Sequence, residues 1–277
     1  MAQKRSSLFI GFLGLIGFLG LLTQELYRLP DGHLHVHFLD VGQGDSALLI
    51  SPTGKQIVID GGPDLTALER IGDRMPFFDR TIDLLVLTHP DADHLISIPE
   101  LTERYQIGSI LMSGIEPYSM QYRRLLSNLS ALHIPVIFAD SAKDIDFGDG
   151  LSFDVLWPPV GTFGTTPKDP NNTSITLRAL YKNHRILFTG DIEAVAENGI
   201  LRSGANVRSD ILKVPHHGSK TSSSTGFLLA IAPTEAVISV GEGNPFGHPH
   251  RSVLDRFNRL GVLIRRTDKE GTVSLTF

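Results

Sequence analysis

The chain has 277 residues, a formal net charge of −5 and no cysteine. This length suits one domain of about 240 residues plus a short extra segment, and the ordinary apolar and charged fractions exclude a disordered chain. The absence of cysteine excludes disulfides and thiolate metal sites, so metal ligands must come from His, Asp, Glu or Asn. The net negative charge gives no overall attraction to nucleic acid, although bound metal ions can supply positive charge locally.

The first hydrophobic segment runs from Leu8 to Leu22 and follows the basic residues Lys4 and Arg5. A positive flank before a short apolar run predicts a signal sequence or a signal anchor. Because no clear small-x-small cleavage site precedes His33, we predict an uncleaved membrane anchor with the remaining chain outside the cytoplasm. Secretion after signal cleavage is the alternative. The predicted domains are therefore an anchor and linker in residues 1–32 and a folded domain in residues 33–277.

Hydrophobic periodicity divides the folded domain into short strands and amphipathic helices. The predicted strands are 34–39, 46–50, 56–59, 83–88, 109–112, 135–138, 151–156, 175–180, 185–188, 210–214 and 236–240, with two more closing the chain. The predicted helices are 64–78, 95–105, 119–132, 192–201, 225–231 and 252–260. Each half of the domain has a run of strands and then helices, which predicts an α/β (α+β) fold with helices covering paired sheets.

Polar side chains follow several predicted strands at the point where each strand ends. Taken singly, they have ordinary interpretations as turn formers, helix caps or surface histidines. Their joint occurrence favours a metal site, because a pair of metal ions needs a bridging carboxylate flanked by His and Asp ligands. The residues concerned are Asp60, His89, Asp91, Asp93, His94, Asp191, His216 and His217, with His248 and His250 in a later loop.

Together these motifs resemble the metallo-β-lactamase superfamily. The finer similarity is to the hydrolase domain of ComEC competence proteins, and it extends from His33 to Phe277. It is carried by Phe38 to Asp45, Ile59 to Gly62, Leu212 to Ser219 and Asn244 to His250. The resemblance implies a four-layered αβ/βα sandwich with the site along one edge, here preceded by an N-terminal hydrophobic helix.

The resemblance also implies a site for two divalent metal ions, zinc or manganese. Asp91 stands where a second histidine is usual, and Asn171-Asn172 stands in place of an intermediate histidine motif. The first metal position is therefore oxygen-rich, which favours manganese or iron over zinc. The implied ligands are His89 and Asp91 for one ion, Asp93 and His94 for the other, Asp191 as the bridge, and His217 with His216 as neighbour or alternate ligand; Asp60 and Asn172 are the implied supporting residues.

We predict a metal-dependent hydrolase, of phosphodiesterase or nuclease type and related to DNA uptake, with single-stranded DNA or another phosphodiester as substrate. Asp93 would orient the attacking hydroxide, while His248 or His250 would contact the phosphate or protonate the leaving oxygen. The substrate-binding residues are predicted to be Lys213, Ser219 and Lys220.

Two other hypotheses remain open on the sequence. The metals could serve another substrate, such as a lactone, a β-lactam or a cell-surface phosphodiester, because fold does not fix substrate. A degenerate binding module is the third hypothesis, since Leu95-Ile96-Ser97 replaces a glycine pair that relatives carry after the motif. Full ComEC proteins carry a multi-helix channel, whereas this sequence has one hydrophobic segment, so a role in DNA transport would need a partner channel.

Overall fold

Two seven-stranded sheets form the centre of the fold in the computed structural model, which describes residue 15, residues 17–139 and residues 144–277. Residues 8–14 and 16 of the predicted anchor lie outside the described residues, and residues 17–26 are helical. Within the described part of the chain, no helix has the length and apolar character needed to cross a bilayer.

The first sheet is built from the N-terminal half of the domain and one C-terminal strand. Its strands are β1 (His35–Phe38), β2 (Ala47–Ile50), β3 (Gln56–Ile59), β4 (Thr81–Leu87), β5 (Gln106–Met112), β6 (Val136–Phe138) and β14 (Val273–Thr276). They are ordered β14-β1-β2-β3-β4-β5-β6. The β1–β2–β3 meander is antiparallel, and β3 to β6 run parallel.

The second sheet comes from the remainder of the domain. Its strands are β7 (Asp144–Asp146), β8 (Leu151–Trp157), β9 (Thr176–Tyr181), β10 (His184–Phe188), β11 (Ile211–Lys213), β12 (Glu235–Ile238) and β13 (Leu263–Arg266). They are ordered β13-β12-β11-β10-β9-β8-β7. Here β10, β11, β12 and β13 run parallel, so their carboxyl ends lie at the same edge of the sheet.

Between residues 66 and 270, eight helices of the described part of the chain cover the sheets or cap their edges. They are α1 (Thr66–Gly72), α2 (Ala92–Leu95), α3 (Ile98–Arg104), α4 (Met120–Ala131), α5 (Ala194–Ser203), α6 (Thr225–Ile231), α7 (Arg251–Arg259) and α8 (Thr267–Glu270). Local sequence sets several ends: the Ser119 and Ser224 hydroxyls accept hydrogen bonds from the first turns of α4 and α6. Gly204 ends α5 with φ 76°.

Three apolar cores separate these layers. One lies between the sheets, where the rings of Phe38 and Phe188 stack at 5.7 Å. A second joins α1, α3 and α4 to the first sheet, and a third joins α5, α6 and α7 to the second. Strand alternation produces this arrangement, since Leu49 faces the inter-sheet core while Leu48 faces the helices. The predicted four-layered αβ/βα sandwich is thus confirmed.

Several predicted elements have different bounds in the structure. The predicted helix 64–78 ends at Gly72, because its last turns would have included Pro76, which lacks a backbone N–H. The predicted helix 95–105 is two helices, and the first, α2, begins inside the polar motif at Ala92. Strand β7 and helix α8 were not predicted, being only three and four residues long.

Candidate metal centre

The carboxyl ends of parallel strands bring the predicted site residues to one edge of the sandwich. Asp60 follows β3, and the motif from His89 to His94 follows β4. From the other sheet, Asp191 follows β10 and His217 follows β11. Because the sheets face each other, residues far apart in sequence meet here on rigid supports.

A tight cluster forms from Asp93, His94, Asp191 and His217, whose ligand atoms all lie within 4.8 Å of one another. His217 Nε2 is 3.2 Å from Asp93 Oδ2 and 3.3 Å from Asp191 Oδ2. His94 Nε2 is 3.3 Å from Asp191 Oδ1. Two imidazoles and two carboxylates in this arrangement supply the nitrogen and oxygen donors that divalent transition metals bind.

Several buried polar atoms of this region lack a hydrogen-bond partner. His94 Nε2 and Asp191 Oδ1 face each other but make no hydrogen bond of acceptable geometry, and His89 Nε2 is likewise unpaired. His94 is fully buried, and His89 and Asp191 are nearly so. A buried unpaired polar atom costs about 1–3 kcal/mol, so their convergence fits a bound cation.

Opposite charges balance one another within the cluster. Burial alone would lower the pKa of His94 and of His217, but Asp191, together with Asp60 at His94 and Asp45 at His217, raises both pKa values well above the ordinary value. Burial would raise the pKa of Asp191, yet His217 and His94 hold it well below its usual range. Protonated histidines therefore supply the positive charge that a divalent cation would supply in the metal-bound protein.

Asp60 orients His94 from behind. Its Oδ2 accepts hydrogen bonds at 2.8 Å from His94 Nδ1 and from the Thr88 hydroxyl, and its Oδ1 accepts one from the Thr88 backbone N–H. A proton fixed on Nδ1 leaves Nε2 free to bind a metal, as in carboxylate–histidine–metal triads. This geometry agrees with the supporting role predicted for Asp60.

Asp45 lies behind His217 as an ion-pair partner, a contact that the sequence did not predict. Its Oδ1 lies 3.2 Å from His217 Nδ1, which also lies 3.0 Å from the Ser239 carbonyl. Its Oδ2 pairs with Lys213 Nζ at 2.5 Å. The sequence signal that could have indicated Asp45 is its place beside Gly44 just before a strand, since Asp60 likewise stands beside a glycine at the end of a strand.

Lys213 is therefore not placed to bind substrate, contrary to the prediction. It is 4% exposed, and its ammonium also donates to the Val214 carbonyl. Ser219 is 6% exposed and its hydroxyl pairs with that of Thr221. Of the three predicted substrate-binding residues, only Lys220 is exposed. Burial of the strand end explains the difference, since β11 lies inside the second sheet.

His89 and Asp91 lie beside the tight cluster rather than in it. Their closest ligand atoms, His89 Nε2 and Asp91 Oδ2, are 3.7 Å apart. The His89 and His94 ring centroids are 4.2 Å apart, so the pair is adjacent to the cluster. The Tyr118 hydroxyl donates a hydrogen bond to Asp91 Oδ1, a contact that the sequence did not predict. This pair can supply two donors to a second cation.

His216 approaches the cluster from the side of Asp191. Its Nε2 is 3.9 Å from Asp191 Oδ2, and its Nδ1 is 3.4 Å from Glu193 Oε1. His216 and His217 both have left-handed backbones, with φ 51° and 52°. That conformation is costly for residues with a Cβ, and it directs two consecutive imidazoles toward one region.

Asn172 has a different role from the one predicted. Its Oδ1 accepts hydrogen bonds from the backbone N–H groups of Glu193 and Ala196 at the start of α5. Its amide group donates to Asp169. It is therefore a helix-capping residue, and its neighbour Asn171 is the one that lines the cavity beside the ligands.

His248 and His250, the two predicted catalytic histidines, are placed differently. The His248 ring stacks on that of His217 at 6.4 Å and contacts the ring of His216. Burial, with the nearby charges of His217 and His216, lowers the pKa of His248 to about 4. His250 is exposed and accepts a hydrogen bond from Ser252 N at the start of α7. The structure thus brings His248, but not His250, to the cluster.

The backbone behind the motif is closely packed despite Leu95-Ile96-Ser97. Gly61 N donates to the His94 carbonyl, and the Ser97 hydroxyl donates to the Gly61 carbonyl. A Cβ on Gly61 would lie 2.9 Å from Ser97 Oγ. Close packing behind the motif therefore depends on glycine at position 61 of the opposing loop.

A cavity of about 400 Å³ opens over the ligands. Its size falls within the range of about 300–1,000 Å³ usual for small-molecule sites. It is lined by Gln43, Pro63, Asp91, Ala92, Asp93, Asn171, Asp191, His216 and Phe246.

Residues 39–242 match the family model described as the metallo-beta-lactamase superfamily. The chain belongs to the metallo-β-lactamase superfamily. Members of this superfamily are metal-dependent hydrolases, and the fold typically binds divalent metals. The clustered His and Asp side chains described above are the corresponding candidate ligands in this member.

Curated relatives are competence and recombination proteins. The chain is 27% identical over 269 residues to ComE operon protein 3 of Bacillus subtilis, covering 91% of this chain and 34% of that protein. It is 29% identical over 256 residues to competence protein ComA of Neisseria gonorrhoeae, covering 92% and 34%. Recombination protein 2 of Haemophilus influenzae is 29% identical over 250 residues, covering 87% and 29%. The predicted resemblance to the ComEC hydrolase domain is confirmed, and the chain spans about a third of each relative.

Solved structures share the fold at low sequence identity. The metallo-β-lactamase fold protein YhfI of Bacillus subtilis has a TM-score of 0.56 at 10% identity, covering 86% of this chain and 99% of that one. CmlA of Streptomyces venezuelae, a diiron β-hydroxylase, also has a TM-score of 0.56, at 14% identity, covering 90% and 55%. The same fold therefore carries different chemistries, and function must be argued from the site.

Proposed function

We propose that the chain is a metal-dependent phosphodiesterase that cleaves DNA, with single-stranded DNA as its substrate. The observation that carries the proposal is the convergence of Asp93, His94, Asp191 and His217, with unpaired ligand atoms, beneath an open cavity. Relatives named for competence and recombination favour a DNA substrate over a lactone or a β-lactam.

Two divalent cations, manganese or zinc, fit the donors present. One would be held by the tight cluster, and the second by His89 and Asp91, with Asp191 shared between them and His216 as a neighbour. Bound cations of this kind lower the pKa of water and stabilise charge that develops on a phosphoryl group. The Asp60 carboxylate accepts hydrogen bonds from His94 and Thr88, and Asp45 forms an ion pair with His217, so both imidazoles are supported from behind.

Asp93 is placed to orient the attacking water. Burial would raise the pKa of this carboxyl, but the charge of His94 and the hydrogen bond with His217 lower it instead. An ionised carboxylate at the cavity wall accepts hydrogen bonds, so it can hold a water in line with the phosphate. His248, whose ring stacks on that of His217, would contact the phosphate as a hydrogen-bond partner.

The test is cleavage of labelled single-stranded and double-stranded oligonucleotides by the full chain with manganese, zinc or iron added. We expect manganese-dependent cleavage that is lost in Asp191→Ala, while circular dichroism shows the secondary structure retained. Asp255→Ala, which removes an exposed carboxylate on α7, is the matched control and should retain activity.

Failure to cleave any phosphodiester with any of the metals would refute the proposal. Turnover of a lactone or a β-lactam under the same conditions would move the activity to the alternative substrates. Less than one equivalent of metal in the purified protein would instead support a non-catalytic binding module.

We further propose that residues 8–22 hold the domain at a membrane, outside the cytoplasm, where it would work with a channel protein. The apolar composition of that segment and the competence relatives support this proposal. Membrane extraction of the full chain at alkaline pH, with protease accessibility of the domain from the outer side, tests it. Recovery of the chain in the extracted fraction would contradict anchoring.

A further inference from the structure

An exposed aromatic side chain, Phe246, stands at the rim of the metal-site cavity. It is 67% exposed, although it lines the same cavity as Asp91, Asp93 and Asp191. Its ring stacks on that of His248, with centroids 5.9 Å apart and planes inclined by 26°. The His248 ring in turn stacks on that of the cluster ligand His217, with centroids 6.4 Å apart. A large apolar side chain kept in water at this position contributes little to folding.

The loop that carries Phe246 is held in a fixed conformation. The Asn244 amide donates to the His248 carbonyl at 2.7 Å and to the Gly241 carbonyl at 3.0 Å, and Asn244 Oδ1 accepts from His248 N at 3.0 Å. These hydrogen bonds close the loop on both sides of Phe246, and Gly247 supplies the left-handed turn with φ 69°. The ring is thus preorganised at the rim, which reduces the entropy lost when a ligand contacts it.

The polar lining of the cavity cannot by itself bind a polynucleotide. None of the lining residues in the described part of the chain is Lys or Arg, whereas Asp91, Asp93 and Asp191 are acidic. The phosphate charge must therefore be met by bound cations, which contact only the linkage being cut. Recognition of the rest of the substrate needs an uncharged contact, and Phe246 offers an open aromatic face. Stacking on aromatic side chains is how single-stranded nucleic acids are bound without reading sequence.

We propose that Phe246 is a specificity-determining residue on which a nucleobase next to the cleaved linkage stacks. The His248 ring supports Phe246 from one side, so that the base extends a stack of flat rings toward solvent. This inference rests on the proposed phosphodiesterase function and adds the requirement that the substrate carries a planar ring beside its phosphate.

The experiment compares two substrates with identical backbones. One is an oligothymidylate, and the other is an oligomer of the same length made from abasic tetrahydrofuran nucleotides. The ratio of their kcat/KM values is measured with the full chain in saturating manganese. The wild-type protein is expected to favour the oligothymidylate by about 5- to 150-fold, the range of one base–aromatic stack.

Variants at position 246 separate stacking from general apolar contact. Phe246→Leu should bring the ratio close to that of Phe246→Ala, because a leucine has no flat face, whereas Phe246→Trp should keep it. Phe77→Ala is the matched control, since Phe77 has the same 67% exposure on a loop near the N-terminal helix, and it should leave the ratio unchanged.

An unchanged ratio in Phe246→Ala would overturn the inference while leaving the proposed function intact. Retention of the ratio in Phe246→Leu would also overturn it, because an aliphatic contact would then be sufficient. If the wild-type protein cleaved neither oligomer, the proposed function would fail and this inference would fail with it.

Discussion

Replacing Asp60 with asparagine tests how the site keeps His94 ready to bind a metal. The two side chains have the same shape, and asparagine tolerates the left-handed backbone of residue 60, where φ is 63°. The backbone should therefore not change. What changes is the set of hydrogen-bond acceptors. In the wild-type protein, two carboxylate oxygens accept from three donors, which are Thr88 N, the Thr88 hydroxyl and His94 Nδ1.

An asparagine presents one oxygen and one NH2 group to these three donors. The Thr88 hydroxyl can turn toward His89 Nδ1, which lies 3.1 Å away. Either Thr88 N or His94 Nδ1 then faces the NH2 group. Facing the NH2 group, His94 would lose its Nδ1 proton and keep the one on Nε2, the atom that would bind the metal. Because Asp60 is 1% exposed, water does not replace the lost contact. We expect metal affinity to fall by about 10- to 100-fold and stability by about 1–3 kcal/mol.

Calorimetric metal titration and urea unfolding of the metal-free protein measure the two effects separately. Asp64→Asn is the matched control, because Asp64 is exposed and its carboxylate accepts one local hydrogen bond from Thr66 N. It should change neither quantity by more than about twofold or 0.5 kcal/mol. Metal affinity in Asp60→Asn within twofold of wild type would refute the proposed orientation of His94.

Three further predictions concern stability. Removing metal with a chelator should lower the unfolding temperature, because a ligand at 100 times its dissociation constant stabilises by about 2.7 kcal/mol; no shift in a thermal melt would contradict a metal site. Lys213→Met should destabilise by about 3–5 kcal/mol in urea, since it removes the ammonium that pairs with Asp45 Oδ2 in a buried site, whereas Lys220→Met should be neutral; equal effects would contradict the pairing. Burial, aided by the charge of Arg74, lowers the pKa of His37 to about 4. The folded state therefore resists protonation of His37. The free energy of unfolding should be at its full value above about pH 6.5 and should fall as the pH drops toward 4. His37→Gln should reduce that slope, and an unchanged slope would count against the assignment.

Local pattern was enough to find the motif from His89 to His94, together with Asp191 and His217. These residues stand directly after apolar strands. Clustered His and Asp side chains at such positions are unusual enough to indicate metal ligands without knowledge of their neighbours in the folded protein. The layered fold also followed from sequence, because a period of two or of 3.6 in apolar residues decides which face of each element is buried. The exact ends were less predictable, as Pro76 and the early start of α2 show.

Tertiary structure alone decided which side chains support the metal ligands and which are too deeply buried to contact a substrate. Asp45 and Tyr118 lie far in sequence from His217 and Asp91, and no local signal pairs Asp45 with His217. Lys213 follows an apolar strand just as the ligands do, yet the second sheet buries it against Asp45. Residue type determines which chemistry a position can perform, whereas packing of the two sheets determines which atoms meet and how much water reaches them. The sequence by itself therefore determined the family, the fold and the candidate ligands, and the packed structure decided their supporting contacts and the rim of the cavity.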